Sequence, residues 1–324
     1  MYQGRAMTDP SPAPGDSPSP AHLSLAHNPR ALFALLAMPL FFATNLIVGR
    51  AVVGTVAPWS LAFWRWLFAA AMLLPFAIPA LIGHRYLLAA QWKRILLLGL
   101  LGMVLCGGNV YAALETTTAT NATLIYTTST IMIVVMDAVL ARRRLPLVQF
   151  IGTLAGFAGI ALITVHGEPL RLMELEFNDG DLGILVAAIA WAAYSLMMRD
   201  GPLVRMGSVA IFATVAVAGT ALLAPLALWE AANGGVQPHG LEAWSAIIFL
   251  AIFPSVLAFI LFLYCVKVAG APVTANFLYT LPVYGVLLAV LLLGEELHVY
   301  HAVGFVLVLG GVVLATYRPA AKPH

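Results

Sequence analysis

The sequence predicts an all-α integral membrane protein, with ten transmembrane helices in two inverted five-helix repeats and both termini cytoplasmic. Three observations predict it. The chain is 62% hydrophobic and only 9% charged, against roughly 45–50% apolar and about 25% charged in an average soluble domain. That is too little charge to coat a water-soluble surface. The apolar residues also fall into ten runs, each near the ~20 residues a helix needs to cross a bilayer core of about 30 Å. Finally, part of the second half repeats the first at a constant offset.

Residues 1–30 carry prolines at positions 10, 12, 14, 18, 20 and 29. That density removes amide donors and predicts a disordered cytoplasmic tail. The tail has no apolar stretch of signal-peptide length, so the first run, 31–49, is expected to act as an uncleaved membrane signal. Runs 58–80, 94–114, 119–141 and 147–165 complete a first repeat over 31–165. An outer linker follows over 166–180. The second repeat, 181–318, holds runs 181–198, 208–229, 243–265, 272–293 and 299–317, and 319–324 form a short cytoplasmic tail.

Basic loops are retained in the cytoplasm. Under this count 13 of the 16 Lys and Arg fall at one set of helix ends. Arg50 and Arg171 lie at the other set, and Arg65 lies inside the second span. Ten of the 14 acids, Glu115, Asp181 and Glu230 among them, fall on the predicted outer side. Net charge is +2, which leaves no basic surface for nucleic acid. Cys106 and Cys265 both sit in apolar runs rather than in a disulfide framework.

From Ala119 and from Ala271 the chain aligns without gaps at an offset of 152 residues. The alignment pairs Thr128 with Thr280, Gly152 with Gly304, Gly159 with Gly311 and Thr164 with Thr316. Five spans per half bring the second copy into the membrane from the opposite side. Inverted repeats provide two related conformations, one open to each face, which is the geometry of alternating access. A duplicated anchor without transport is the plainer alternative.

The stretch GAPVTANFLYTLPVYGVLLAVLLLGEELHVYHAVGFVLVLGG has Pro282 in the ninth span, Gly294–Glu295 after it and Gly304 in the tenth. It resembles the repeat of EamA-type carriers in the drug/metabolite transporter superfamily. AIAWAAYSLMMR at the sixth span is similar to the start of the second EamA repeat. The resemblance covers Ala31 to Tyr317 and implies the carrier fold. Thr130 stands where the family often has Pro, and Arg143 where it often has Glu. Overall the pattern is closer to the YddG-like branch, which exports amino acids, aromatic ones among them.

Hydroxyls at Thr123, Tyr126, Thr127 and Thr130 recur at helical spacing and share one face of the fourth span. Hydroxyls gain nothing from lipid, so this face is expected to line the bundle interior or a water-filled cavity. The ninth span carries Asn276, Tyr279 and Thr280. Facing residues are Phe41 and Asn45 in the first span, Asn109 and Tyr111 in the third, and Trp191 and Tyr194 in the sixth. Asn, Thr and Tyr can hold an amino and a carboxylate group without net charge, while Trp and Tyr rings pack on a bulky side chain. Bridging between helices is the other use of such groups. Pro39, Pro254 and Pro282, with Gly107 and Gly108, read as bends or hinges. Gly152 and Gly156 read as a close helix contact.

Arg65 lies roughly 10 Å along its helix from Pro58. Three readings stand open: a pair with Glu115, attraction of a substrate carboxylate, or snorkelling to the outer interface. Asp137, near the inner end of its span, reads as an interfacial anchor. No carboxylate sits at a span centre, which predicts a facilitator.

Nucleotide-loop, zincin and paired-cysteine motifs are missing, so neither cofactor nor metal is expected. Glu295, His298 and His301 read as a solvated outer loop, and the NAT sequon at Asn121 as coincidence at a helix start. The expected function is export of neutral amino acids, aromatic or bulky apolar, across a bacterial-type cytoplasmic membrane. Drug-like or cationic metabolites, held by cation–π contacts, are the alternative cargo, and a membrane enzyme or receptor is the third. Expected partners are the small-molecule substrate and the lipid bilayer, and a homodimer is compatible with the sequence.

Overall fold

A computed structural model describes residues 28–52, 54–142, 144–173, 176–199, 201–293 and 296–316. The expected tails at 1–27 and 319–324, with Arg143 and Glu295, lie outside the described residues. The first long helices are α1 (Pro29–Val52), α2 (Pro58–Gly83), α3 (Trp92–Ala113), α4 (Ala119–Leu140) and α5 (Leu147–Thr164). Then come α6 (Asp179–Arg199), α7 (Ser208–Ala232) and α8 (Gly240–Ala269). The ninth, α9, runs over Ala271–Leu278 and resumes over Leu281–Leu293, and α10 covers Val299–Thr316. Among the described residues, nine helices, α2 to α10, are long and apolar enough to cross a membrane, while the apolar stretch of α1, Pro29–Asn45, is shorter. Phe33, Phe76, Leu228 and Val306 project outward, as side chains do when lipid is the solvent.

Local chemistry sets the boundaries. Helix α1 starts at Pro29, inside the segment expected as tail. A proline in the first turn has no amide to lose, and Asn28 Oδ1 accepts the Ala31 N–H at 3.1 Å. Pro282 breaks α9: it can stand in the first turn of the resumed helix but cannot donate within a continuous one.

The equivalent third helices of the two halves both widen into π register, α3 over Leu100–Gly108 and α8 over Ala251–Leu257. In α8 the cause is Pro254, which has no N–H to give Leu250 O, its usual helical partner. Ser255 Oγ instead donates to that carbonyl at 2.7 Å.

Packing relates the halves to one another. A Cβ added to Gly152 would lie 2.7 Å from Gly311 O, and one added to Gly159 would lie 2.8 Å from Gly304 O. The sequence alignment equates Gly152 with Gly304 and Gly159 with Gly311. Exchanging the halves therefore turns one observed contact into the other. Helices α5 and α10 meet backbone to backbone along this seam. Helices α2 and α7, also equivalents, pack together, while α1 lodges against α8 and α9, and α6 against α3 and α4. The first helix of each half thus sits in the other half.

Glu230 closes the α2–α7 pair. Its carboxylate accepts the Trp59 and Ser60 N–H groups at 3.2 and 2.7 Å and the Ser60 hydroxyl at 2.9 Å. These amides belong to the first turn of α2, which has no helical acceptors and carries the positive end of the helix dipole. Glu230→Gln is expected to cost about 1–2 kcal/mol, read as a lower thermal unfolding midpoint in detergent. An unchanged midpoint would remove the cap from the account.

Candidate functional site

The centre of the bundle is built around one cation. Arg65 lies two turns into α2 and is 5% exposed. Its Nε donates to Ser255 Oγ at 2.6 Å, and its Nη1 to Asn45 Oδ1 at 3.0 Å and Tyr111 Oη at 2.5 Å. Tyr111 Oη also donates to Asn45 Oδ1 at 3.0 Å. Helices α1, α2, α3 and α8 therefore meet at a single guanidinium. Ser255 can receive Nε because its own proton is committed to the carbonyl that Pro254 leaves free.

All three partners are neutral. Among the described residues no carboxylate pairs with Arg65, and Nη2 has no acceptor. The expected pairing with Glu115 does not form, for Glu115 is exposed and makes no ion pair with it. Three hydrogen bonds fix the direction of the side chain. A narrow recess lined by Gly54, Val56, Pro58, Leu61, Tyr111 and Glu115 reaches the Tyr111 side of the cluster.

Aromatic rings continue from the cation. The guanidinium carbon lies 5.0 Å from the Trp66 ring centre. Trp66 meets Phe259 at 5.3 Å, Phe259 meets Phe42 at 5.3 Å, and Trp191 stacks on Tyr194 at 5.7 Å and approaches Phe262 at 4.8 Å. Missing side chains in α3 make the room: a Cβ on Gly102 would lie 2.8 Å from the Tyr194 ring, and one on Gly107 2.9 Å from Trp66 Nε1. Trp66 Nε1 and Tyr194 Oη are buried without hydrogen-bond partners. Tyr126 packs against the same apolar core, and Cys106 Sγ donates to Ala187 O of α6 at 3.4 Å.

The predicted residues divide into groups. Asn45, Tyr111, Tyr126, Trp191 and Tyr194 come together around Arg65 and the rings. The Phe41 ring meets Phe253 of α8 at 6.1 Å. Asn109 bridges α3 to α6 by donating to Gly183 O at 2.8 Å. Thr127 bonds back to Thr123 O at 2.9 Å, which satisfies it within its own helix. Thr130 donates to Ala275 O at 3.3 Å, and Asn276 takes the Thr153 hydroxyl at 3.2 Å while donating to Pro272 O at 2.9 Å. Thr280 bonds Phe277 O at 2.7 Å. Tyr279 is buried against Gly156, where a Cβ would lie 2.5 Å from its ring. The bonds of Thr130 and Asn276 join α9 to α4 and α5 without including Arg65, Tyr279 packs beside them, and Thr280 bonds within α9. Of the expected bends, Pro39 is buried in an unbroken α1, Pro254 and Gly107–Gly108 lie in the π segments, and Pro282 lies at the restart of α9. Gly108 is also pressed by an aromatic ring, with the Trp59 edge 2.5 Å from a notional Cβ.

Asp137 is not a surface anchor. It is buried and ion-paired with Arg199 at the end of α6, because α4 packs against α6. Asn121, the sequon residue, is buried and donates to Asp181 Oδ2 and Glu176 O, both at 3.0 Å. Among the described residues no three His, Cys, Asp or Glu side chains gather as a metal site. Ser255 and Glu230 escaped the sequence reading as functional positions. The only signal for Ser255 is a lone hydroxyl following a proline within an apolar run.

The EamA-like transporter family matches the chain twice, over residues 29–165 and 178–317. Similar proteins include an uncharacterized transporter of Archaeoglobus fulgidus, 26% identical over 285 residues, covering 88% of this chain and 95% of that protein. The uncharacterized transporter YyaM of Bacillus subtilis is 25% identical over 283 residues, covering 87% and 92%. The uncharacterized inner membrane transporter YedA of Escherichia coli K12 is 24% identical over 294 residues, covering 90% and 92%. A solved crystal structure superposes with a TM-score of 0.71 at 22% identity, covering 88% of this chain and 96% of that one, a likeness of fold.

Proposed function

The chain belongs to the EamA-like transporter family and is a multi-pass membrane protein, and from that premise we propose that it exports neutral amino acids, aromatic or bulky apolar, by alternating access. In this reading it crosses a bacterial-type cytoplasmic membrane ten times, α1 supplying the tenth span, with the Lys- and Arg-rich ends and both termini inside. The two halves, 31–165 and 181–318, are inverted repeats. The observation that carries the reading is the exchange of first helices between the halves. A bundle built this way has two equivalent packings, related by swapping the roles of its halves, and each opens the centre to one side.

Asn45, Tyr111, Tyr126, Trp191 and Tyr194, with Phe41 at the margin, line the cargo site in this proposal. Asn109, Thr130 and Asn276 tie together the helices that carry it, with Tyr279 packed between them and Thr123, Thr127 and Thr280 lying along them, and Pro254, Pro282 and Gly107–Gly108 supply the bends. The ring cluster suits a bulky apolar side chain. A buried positive charge at the same place opposes cationic cargo, the alternative on this fold. The partners are then an amino acid and the bilayer.

Counterflow tests the proposal. Proteoliposomes loaded with unlabelled Phe, Trp, Tyr or Met are expected to accumulate the labelled compound without a pH gradient, and those loaded with Lys are not. Folded protein that moves no amino acid, yet moves cationic aromatic compounds, would overturn the amino-acid reading.

A further inference from the structure

We propose that Arg65 is a carboxylate subsite, so that the cargo must carry a carboxylate and bulky amines lacking one are excluded. The inference rests on the reading that the central cluster holds the cargo, and it fixes the chemistry of one end of that cargo.

A guanidinium buried in a membrane protein is costly unless something compensates its charge. Ser255, Asn45 and Tyr111 give Arg65 hydrogen bonds and a fixed direction, but no negative charge. If the role were only to tie four helices together, a neutral donor would do it without desolvating an ion. Two donors are also left over in this cluster. Nη2 of Arg65 has no acceptor among the described residues. Trp66 Nε1, whose ring lies against the guanidinium, is buried without one.

A carboxylate answers both needs. It brings the missing charge, and its four lone-pair sites can accept from the two free Nη2 hydrogens and a further donor together. An ammonium group would bring a second positive charge and more donors to a place already rich in both. The three neutral partners act as positioning residues, holding the guanidinium plane so that Nη2 remains available.

The test compares compounds of one shape on the wild-type protein: L-phenylalanine, 3-phenylpropanoate without the amine, and 2-phenylethylamine without the carboxylate. Each is measured as a competitor of labelled Phe counterflow and, separately, as a stabiliser against thermal unfolding in detergent. Phenylpropanoate is expected within about 10-fold of Phe, and phenylethylamine about 10–100-fold weaker, the range of a lost charge-assisted hydrogen-bond pair. Equal or better binding of phenylethylamine would overturn the subsite. If no amino acid shows counterflow, the export reading fails and the unfolding series still decides this one: stabilisation by phenylpropanoate but not the amine sustains it, and stabilisation by neither or by the amine overturns it. Arg65→Lys, which keeps the charge without the planar fork, is expected to weaken carboxylate binding about 10-fold, and Arg65→Gln to abolish it. A folded Arg65→Gln that binds phenylpropanoate as wild type does would also overturn the proposal.

Discussion

Replacing Gly152 with alanine is expected to destabilise the protein by about 2–3 kcal/mol. The added Cβ would lie 2.3 Å from Ala315 N and 2.7 Å from Gly311 O. Both are backbone atoms of α10, and backbone cannot rotate out of the way as a side chain can. The two helices must separate, and dispersion contacts along the whole seam weaken with them. The other side of the same contact extends the expectation. Gly311→Ala should cost a similar amount, since its Cβ would lie 2.4 Å from Gly156 N and 2.7 Å from Gly152 O. Gly310, one residue away, has nothing within 4 Å of a notional Cβ. Gly310→Ala should therefore be tolerated, or gain up to about 1 kcal/mol from helix propensity. Unfolding midpoints of the three variants, followed by size exclusion after heating in detergent, decide the matter. Equal midpoints for Gly152→Ala and Gly310→Ala would refute the backbone-contact account.

The second large effect is expected at Asp137. Removing one member of a buried ion pair costs about 3–5 kcal/mol, because the partner is left charged and poorly solvated. The side chain of Arg199 is 28% exposed, so water relieves part of this, and about 2–3 kcal/mol is expected for Asp137→Ala. The double variant Asp137→Ala with Arg199→Ala should recover part of the loss, since Arg199 is no longer left without this carboxylate. This separates an architectural pair from a proton-carrying one. An architectural Asp137 loses transport and stability together, and the double variant restores both in part. Transport that collapses in Asp137→Asn at an unchanged unfolding midpoint would make Asp137 a coupling group.

The helical fold was legible because the bilayer is so strict a solvent. Run length and the scarcity of charge predicted the long apolar helices, and the close helix contact read at Gly152 and Gly156 is present, against α10 and the Tyr279 ring. The polar residues were harder to place. Thr123, Tyr126, Thr127 and Thr130 do share a helical face, but α4 touches α6 along one side and α5 and α9 along another. One face therefore serves two neighbours, Tyr126 turning to the centre and Thr130 to α9. Asp137 is a related case: its place near the end of its span suggested an interfacial anchor, while packing supplied Arg199 from α6. Ser255 acquires its role only once Pro254 has forced the helix out of register, an event that residue spacing does not reveal.

The exchange of first helices has a consequence for how the chain is made. In space the two exchanges are equivalent, but in time they are not. Helix α6 emerges when α3 and α4 are already inserted, whereas α1 must wait for α8 and α9, about two hundred residues later. At 5–20 residues per second, that leaves α1 roughly 10–40 s without its permanent neighbours. Its apolar side, including Leu35 and Met38, can be solvated by lipid meanwhile, but the Asn45 amide cannot. The bond from Arg65 supplies what the amide lacks, and it requires only α2, the next helix synthesised. The newborn chain thus carries its own tether, which moors α1 until its berth is complete.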